Sequence, residues 1–301
     1  MQNKNTAYAP WLPFAVLGIG LLAVSLGGVL ARIAQGQGVS SLAVATWRLG
    51  LAAMIVTPIA LSHSWRALAA LTTRQVGLGL AAGLFLALHF ATWITSLEYT
   101  SVASSTALVS TTPLWIGLAN FALFRERPGR LMSIGIVLSL AGSLFIFQAD
   151  SLHAGPGRDP QLGNLLAIAG SWSFAGYLLA GRRLRASLPL PAYIWLAYGA
   201  AALFLLAATL AGGAALSGFP NAAWLALLGL ALGPQLLGHT SYNWSLRHVS
   251  ATFVAVVTLG EPVVSAALAF FLFGEGFTPL QATGFALLVA GIYFAARGEK
   301  A

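Results

Sequence analysis

The stretch GLAAGLFLALHFATWITSL, residues 79–97, returns in altered form as GLALGPQLLGHTSYNWSL at residues 229–246. Gly79, Gly83 and His89 each match the residue 150 positions later, and after a one-residue gap the closing Ser-Leu pair matches at a shift of 149. Further identities at the shift of 149 occur at Ser101, Pro113, Phe121, Leu123, Phe124, Glu126, Gly135, Leu138, Ala141, Gly142 and Phe145. This internal repeat predicts that the chain consists of two similar halves.

The composition of the chain is that of a membrane protein. Of its 301 residues, 58% are hydrophobic and 7% are charged, and the mean hydropathy is +0.83. Soluble domains carry about 25% charged residues, so this chain has too few charges to coat a water-exposed surface. The lack of cysteine excludes a disulfide framework and a thiolate metal site.

The apolar segments predict an all-α integral membrane protein with ten transmembrane helices. Each segment is close to the roughly 20 residues that an α-helix needs to cross the hydrocarbon, and their continuous apolar character disfavours a β-barrel. The predicted spans are residues 10–34, 40–61, 75–97, 101–124, 130–148, 161–181, 190–211, 221–246, 250–273 and 277–296.

These spans divide into two repeats of five. We expect the first repeat at residues 1–148 and the second at 161–301, joined by a linker at 149–160 that is rich in Gly, Pro and charge. Because five is odd, the second repeat enters the membrane from the opposite side, which makes an inverted-topology 5+5 repeat. Such repeats are typical of secondary transporters, whose binding site lies where the two halves meet.

The basic residues predict the orientation in the membrane. With a cytoplasmic N-terminus, the cations on the cytoplasmic side are Lys4, Arg66, Arg74, Arg125, Arg127, Arg130, Arg182, Arg183, Arg185, Arg247, Arg297 and Lys300. The outer side carries Arg32 and Arg158, and Arg48 lies inside the second span. This asymmetry follows the positive-inside rule and places both termini in the cytoplasm. It also accounts for the net charge of +8 without a basic stripe for nucleic acid.

Two ionisable residues lie well inside the predicted spans, where charge is costly and commonly functional. Glu261 is interpreted either as a proton or substrate-amine site, or as a brace for backbone N–H groups freed near Pro262. Arg48 is interpreted either as a functional cation or as one that snorkels or pairs with backbone carbonyls. Pro113 and Pro262 occupy matching places in the fourth and ninth spans, which indicates either paired helix breaks at a binding region or plain kinks.

Polar and aromatic side chains within the spans are candidates for substrate binding. They are Trp47, His89, Trp93, Trp172, Tyr177, His239, Tyr242 and Asn243. Interfacial anchoring is the alternative for the aromatic residues, and a hydrogen bond to a backbone carbonyl is the alternative for the histidines. Because no nucleophile elbow, zinc-protease motif, P-loop or dinucleotide fingerprint is present in the sequence, we expect neither an enzyme nor a bound cofactor or metal.

The sequence resembles a known family at several motifs. Residues 113–114 with 124–127, and residues 261–263 with 273–275, look like the paired signatures of the drug/metabolite transporter superfamily, in its EamA-type branch. Residues 96–103 look like that family's link between spans 3 and 4. The resemblance implies ten helices in an inverted 5+5 repeat around a central cavity lined mostly by spans 3, 4, 8 and 9. It also implies a multi-pass protein of the bacterial inner membrane that exports amino acids, other metabolites or drugs.

The length and the aromatic-rich spans look most similar to the aromatic amino-acid exporter branch. An aromatic cavity with few charges favours amphipathic solutes, and an indole face can bind a solute ammonium group. We therefore expect export of aromatic or other apolar amino acids by alternating access, with protons as a candidate coupling ion. Export of drugs or lipophilic cations is the first alternative, and a non-transporting receptor or scaffold is the second. Phosphate-bearing cargo ranks low because Arg48 is the one cation placed inside a span.

The orientation can be tested by labelling, because the chain has no cysteine of its own. Single cysteines replacing Arg66 or Arg183 should be protected from a membrane-impermeant thiol reagent in intact cells, whereas a cysteine replacing Gly155 should react. The reverse pattern would contradict the predicted topology.

Overall fold

The computed structural model describes residues 9, 11–125, 128–152, 159–274 and 278–298. Of these, nearly all are helical, and the described part of the chain contains no β-strand. Several features of the sequence prediction lie outside the described residues: the linker centre at 153–158, Lys4, Glu126, Arg127, Arg158, Glu275 and Lys300.

Fourteen α-helices and one π-helix make up the described fold. They are α1 (Leu12–Ser25), α2 (Gly27–Gly36), α3 (Ser41–Ala69), α4 (Thr73–Tyr99), α5 (Val102–Val109), α6 (Thr112–Phe124), α7 (Arg130–Leu152), α8 (Pro160–Arg185), α9 (Leu190–Ala211), α10 (Asn221–Leu230), π1 (Ala231–His239), α11 (Thr240–Ser245), α12 (Ala251–Thr258), α13 (Glu261–Phe273) and α14 (Pro279–Gly298).

Eight helical stretches in the described residues are long and apolar enough to cross a membrane. They are α1–α2, α3, α4, α5–α6, α8, α9, α10–π1–α11 and α12–α13. Helices α7 and α14 carry shorter apolar stretches, at Arg130–Phe145 and Pro279–Gly291. The chain is therefore an all-α, multi-pass membrane protein.

Two features of the helices differ from the sequence prediction. Helix α3 continues to Ala69, eight residues past the predicted end, and it contains Pro58 in its interior. The eighth span is wound as a π-helix around Pro234 in its middle third. A proline lacks the N–H that an α-helix needs, and a π segment is one way for a helix to absorb that loss.

Matched serines start the two broken helices. The Ser101 hydroxyl accepts a hydrogen bond from the Ser104 N–H at 3.0 Å, which caps α5, and the Ser250 hydroxyl caps α12 through the Phe253 N–H at 3.0 Å. A serine N-cap satisfies one of the free donors at a helix start and stabilises it by about 1 kcal/mol. This shared cap explains why the serine recurs in both halves.

Matched prolines stand just after the two breaks. Pro113 lies in the first turn of α6, and Pro262 is the second residue of α13. Pro113 leaves the carbonyl four residues earlier without its helical donor, and Thr112 Oγ1 donates to that carbonyl at 2.9 Å. Pro262 does the same to Thr258, whose carbonyl accepts a hydrogen bond from Ser110 Oγ at 3.2 Å. Side-chain hydroxyls therefore satisfy both freed carbonyls inside the protein, as a membrane requires.

The two halves pack against each other along most of their helices. Helix α4 packs against α8 and α9, α3 against α9, and α7 against α14. In the broken spans, α5 packs against α13 and α6 against α12, and α1 and α2 meet the eighth span in reverse order, α1 on π1 and α2 on α10. The first segment of each span thus faces the second segment of its partner, so these pairs run antiparallel.

Glycines that recur in the repeat allow close helix crossings. A Cβ added at Gly142 would lie 2.5 Å from the Gly284 carbonyl oxygen and 3.0 Å from the Leu288 nitrogen, where α7 crosses α14. Gly83 of the first Gly-x-x-x-Gly motif packs in the same way against Ala200 of α9, whereas Gly233 of the second motif has open space around it. Small residues bring the helix backbones together at the first two crossings.

Replacing Gly142 with Ala should destabilise the protein, because the new methyl group meets backbone atoms that cannot rotate away. We expect a loss of about 1–3 kcal/mol, seen as a lower thermal unfolding temperature in detergent. The matched control is Gly117→Ala in α6, where nothing lies within 4 Å of the added Cβ. Equal unfolding temperatures for the two variants would contradict the close crossing of α7 and α14.

Candidate binding site

A small chamber lies at the centre of the fold, between the two halves. Its volume is about 20 Å³, which leaves room for about one water molecule. Its walls are formed by Val24, Arg48, His89, Trp93, Val109, Ser110, Phe174, His239, Tyr242, Thr258 and Glu261. Six candidates from the sequence are therefore brought together here: Arg48, His89, Trp93, His239, Tyr242 and Glu261.

Repeat-related residues meet across this chamber. His89 and His239 lie 150 positions apart in sequence, and their ring centroids are 6.1 Å apart. Val24 and Phe174 are related by the same shift and also line the chamber. Equivalent positions from both halves thus face each other at one point, which is where a two-fold relation between the halves would bring them.

Arg48 is buried beside the chamber rather than snorkelling to the membrane surface. Its exposed fraction is 1%, and its Nε donates to the Gln235 side-chain oxygen at 2.9 Å. The guanidinium carbon lies 4.0 Å from the centroid of the Phe90 ring, a cation–π contact that a dry site strengthens. The π segment π1 presents Gln235 to Arg48, so the irregular winding of the eighth span helps to hold the buried cation.

The two chamber histidines differ in their hydrogen bonds. The Nδ1 of His89 donates to the Gly170 carbonyl at 3.0 Å, as the backbone-bonded interpretation expected. This bond fixes the ring and leaves Nε2 as an acceptor. The Nδ1 of His239 has no hydrogen-bond partner among the described residues. The repeat therefore supplies two imidazoles in unlike environments.

Glu261 is the first residue of α13 and lines the chamber with 9% of its surface exposed. A carboxylate in the first turn interacts favourably with the positive end of the helix dipole. Its counterpart in the first half is Thr112, which is uncharged. The negative charge therefore belongs to one half alone.

Tyr177 and Asn243 lie beside the chamber in a hydrogen-bond network. The Tyr177 hydroxyl donates to Asn243 Oδ1 at 2.7 Å, and Asn243 Nδ2 donates to the Tyr198 hydroxyl at 3.0 Å. Tyr198 in turn contacts the Thr240 hydroxyl at 3.1 Å. The network joins α8, α9 and α11, so these two candidates brace the wall of the chamber rather than form its surface.

Two tryptophan candidates lie away from the chamber. The Trp47 Nε1 donates to the Leu216 carbonyl at 2.9 Å, and its ring packs edge to face on Trp224 at 4.8 Å. This contact holds the connection between α9 and α10. Trp172 is half exposed and lines a separate, larger space.

That larger space is a vestibule of about 830 Å³ bounded mainly by α4, α6 and α8, with the residues that join α11 to α12. Phe85 and Trp172 meet edge to face in it, with centroids 5.9 Å apart. Phe85 precedes His89 by about one helical turn on α4, so the vestibule and the chamber follow each other along the same helix.

Arginines determine the charge at one end of the vestibule. Arg182, Arg183 and Arg247 line it at the end that carries the predicted cytoplasmic cations. Partial burial lowers the pKa of the neighbouring His248 imidazole, and the positive charges of Arg247 and Arg185 lower it further. His248 is therefore neutral at pH 7, and the positive charge at this end does not depend on histidine protonation.

Three residues that line or support the chamber were not singled out from the sequence: Phe90, Phe174 and Gln235. The repeat offered a signal for Phe174, because it matches Val24 of the first half. A buried glutamine directly after Pro234 in an apolar span was a signal for Gln235.

The sequence profile of the EamA-like transporter family matches residues 11–148 and 161–297. The chain belongs to this family. The match covers both halves, and the drug/metabolite transporter resemblance is thereby confirmed. The family and the named relatives point to a transporter rather than to an enzyme.

Three bacterial relatives have names that describe them as transporters or as an efflux pump. "Uncharacterized transporter YwfM" of Bacillus subtilis is 26% identical over 66% of this chain and 66% of its own length. "Uncharacterized transporter YyaM" of the same organism is 22% identical over 82% of each chain. A Salmonella typhimurium relative named "Probable amino-acid metabolite efflux pump" is 31% identical over 57% of this chain and 59% of its own length.

A solved structure shares the fold. It superposes with a TM-score of 0.74 at 16% sequence identity and covers 95% of this chain and 98% of its own. At this identity the likeness extends to the fold alone.

Replacing Pro113 or Pro262 with Ala should restore a helical hydrogen bond at the break and stiffen the span. We expect slower transport in reconstituted vesicles, with a thermal unfolding temperature equal to or above that of the parent. The matched control is Pro58→Ala, in a helix that remains continuous through its proline. Parental transport in both single variants and in the double variant would reduce these prolines to structural kinks.

Proposed function

We propose that the chain is a secondary transporter that exports aromatic or other apolar amino acids, and related metabolites, by alternating access. The observation that carries this proposal is the central chamber, which combines aromatic rings with one cation and one acid where the two halves meet. Substrate sites of secondary transporters lie at this place in the fold.

The proposal includes ten membrane spans in an inverted 5+5 arrangement, with α7 and α14 as the fifth and tenth. The repeats would occupy residues 1–148 and 161–301, joined at 149–160, with both termini in the cytoplasm of the bacterial inner membrane. The antiparallel packing of α5–α6 on α12–α13 supports this arrangement, since an inverted repeat relates the two broken spans in that way.

The cargo class follows from the chemistry of the chamber. The rings of His89 and Phe174 stack with their centroids 4.8 Å apart, and the guanidinium carbon of Arg48 lies 4.0 Å from the Phe90 centroid and 5.9 Å from the Trp93 centroid. Rings of this kind bind the apolar body of a solute, while the few polar groups orient its charged end. The name of the Salmonella relative supports amino-acid metabolites as cargo.

The vestibule and the chamber suggest the transport state. A chamber of about 20 Å³ is far too small for an amino acid, whereas the vestibule of about 830 Å³ has ample room. In the proposed orientation the vestibule is cytoplasmic, so exported cargo would collect there before the chamber widens to receive it. The structure would then correspond to a state in which the site is closed.

Flux through the purified protein in liposomes tests this function. Labelled phenylalanine should leave vesicles that contain the protein faster than it leaves protein-free vesicles. Unlabelled aromatic amino acids should compete with it for transport. A lipophilic cation, tetraphenylphosphonium, should compete poorly. Repeating the assay with an imposed pH gradient determines whether protons drive the flux.

Strong competition by tetraphenylphosphonium alone would favour a drug exporter. No flux of any cargo would favour a receptor or scaffold and contradict the proposal.

A further inference from the structure

Hydrogen-bonding atoms without partners converge on the central chamber. Among the described residues, four chamber side chains each carry one buried polar atom that has no hydrogen-bond partner. These atoms are Arg48 Nη1, Trp93 Nε1, His239 Nδ1 and Tyr242 Oη. Buried polar groups are nearly always bonded in folded proteins, and such a cluster of exceptions needs an explanation. Three of the four atoms always carry a hydrogen, and His239 Nδ1 carries one in one of its two neutral tautomers, so the cluster favours a ligand group that is rich in acceptors.

Arg48 is held in place before any ligand arrives. Its Nε is engaged by Gln235, and its guanidinium plane is supported by Phe90 at 4.0 Å, while Nη1 stays available. A guanidinium fixed in this way loses little freedom when it binds a planar two-oxygen group such as a carboxylate. A Cβ added at Gly27 would lie 3.5 Å from Nη1 and 3.1 Å from the Trp93 ring, so the glycine keeps a side chain out of contact with this atom.

Glu261 supplies the opposite charge on the same chamber. It comes from the second half, whereas Arg48 comes from the first, and the two side chains form no ion pair among the described contacts. Arg48 and Glu261 attract each other across the chamber without forming a contact ion pair, so each buried group is only partly compensated. A ligand with one negative and one positive group, spaced by a single carbon, would neutralise both at once.

We infer that Arg48 and Glu261 form a recognition site for the zwitterionic end of an α-amino acid, with Arg48 binding the carboxylate and Glu261 binding the ammonium group. This inference rests on the proposed export function and specifies how the cargo is selected. Trp93 Nε1 and the Tyr242 hydroxyl provide further donors to the carboxylate, and the ring of Phe174 faces the apolar side chain of the cargo. Cargo that lacks either charge leaves one buried ion unpaired and is rejected.

Three compounds with the same ring and different charges test the inference: phenylalanine, phenethylamine without the carboxylate, and 3-phenylpropionate without the ammonium group. The unaltered protein should move phenylalanine at least about tenfold better than either analogue, since a charged hydrogen bond is worth about 1.5–3 kcal/mol. Binding is measured in parallel, as the rise in unfolding temperature that each compound produces in detergent.

Two charge-neutral variants should each weaken the selection against a different analogue. Arg48→Gln should lower the ratio of phenylalanine to phenethylamine flux at least about tenfold, and Glu261→Gln should do the same to the ratio of phenylalanine to 3-phenylpropionate. Arg48→Lys keeps the positive charge but lacks the two-pronged guanidinium, and it replaces Arg48→Gln in the test if that variant does not fold. It should lower the ratio of phenylalanine to phenethylamine flux by a smaller factor.

The matched control is Arg32→Gln. Arg32 also donates to backbone carbonyls, those of Leu97 and Thr100, but it lies outside the chamber. Its loss should leave both flux ratios at the parental value, even if it lowers the unfolding temperature.

The outcomes separate the site from the function. If the unaltered protein moves phenylalanine but the variants scale all three compounds by one factor, the recognition site is refuted and the export function stands. If the unaltered protein transports none of the three compounds, and none of them raises its unfolding temperature, the export function and the recognition site are both overturned. Parental ratios in Arg48→Gln would assign Arg48 a structural role only.

Discussion

The rest of the site depends on how one buried cation is accommodated. An arginine in the membrane interior is costly, and Arg48 meets this cost with a hydrogen bond to Gln235 and a ring face from Phe90. Gln235 reaches Arg48 from the π-wound part of the eighth span, next to Pro234. The local irregularity of one helix is thus tied to the charge of another, and together they define the centre of the fold.

A symmetric scaffold carries an asymmetric site. The repeat brings His89 to His239 and Ser101 to the same capping role as Ser250, yet the charged positions have neutral counterparts. Arg48 corresponds to Tyr198, and Glu261 corresponds to Thr112. Each half therefore contributes one charge, and the two charges meet only because the halves pack together. In the recognition site inferred above, this asymmetry would distinguish the two charged ends of a small solute, which a symmetric site could not do.

The sequence predicted the features that follow from the length of the apolar segments and from the period of the internal repeat. Apolar length revealed the membrane helices, and the repeat predicted that His89 and His239 would be related. The direction of each side chain was harder to predict. A helix that is buried on most faces shows no polar side in its sequence, so a residue on it can face any neighbour. Trp47 faces the α9–α10 connection and Trp172 faces the vestibule for this reason, while Gln235 depends on a π segment whose register no α-helical period describes.

The repeat also places one arginine beside the junction that precedes each broken span. Arg32 donates to the carbonyl of Thr100, and its counterpart Arg182 donates to the carbonyl of Val249, the counterpart of Thr100. In the inverted arrangement proposed above, these bonds lie at opposite membrane faces, and they tie α2 and α8 to the junctions before the two broken spans. Both bonds are formed in the structure, in which the chamber is closed. Because the two junctions are built alike, opening at either face in the proposed alternating-access mechanism would break a contact of the same kind.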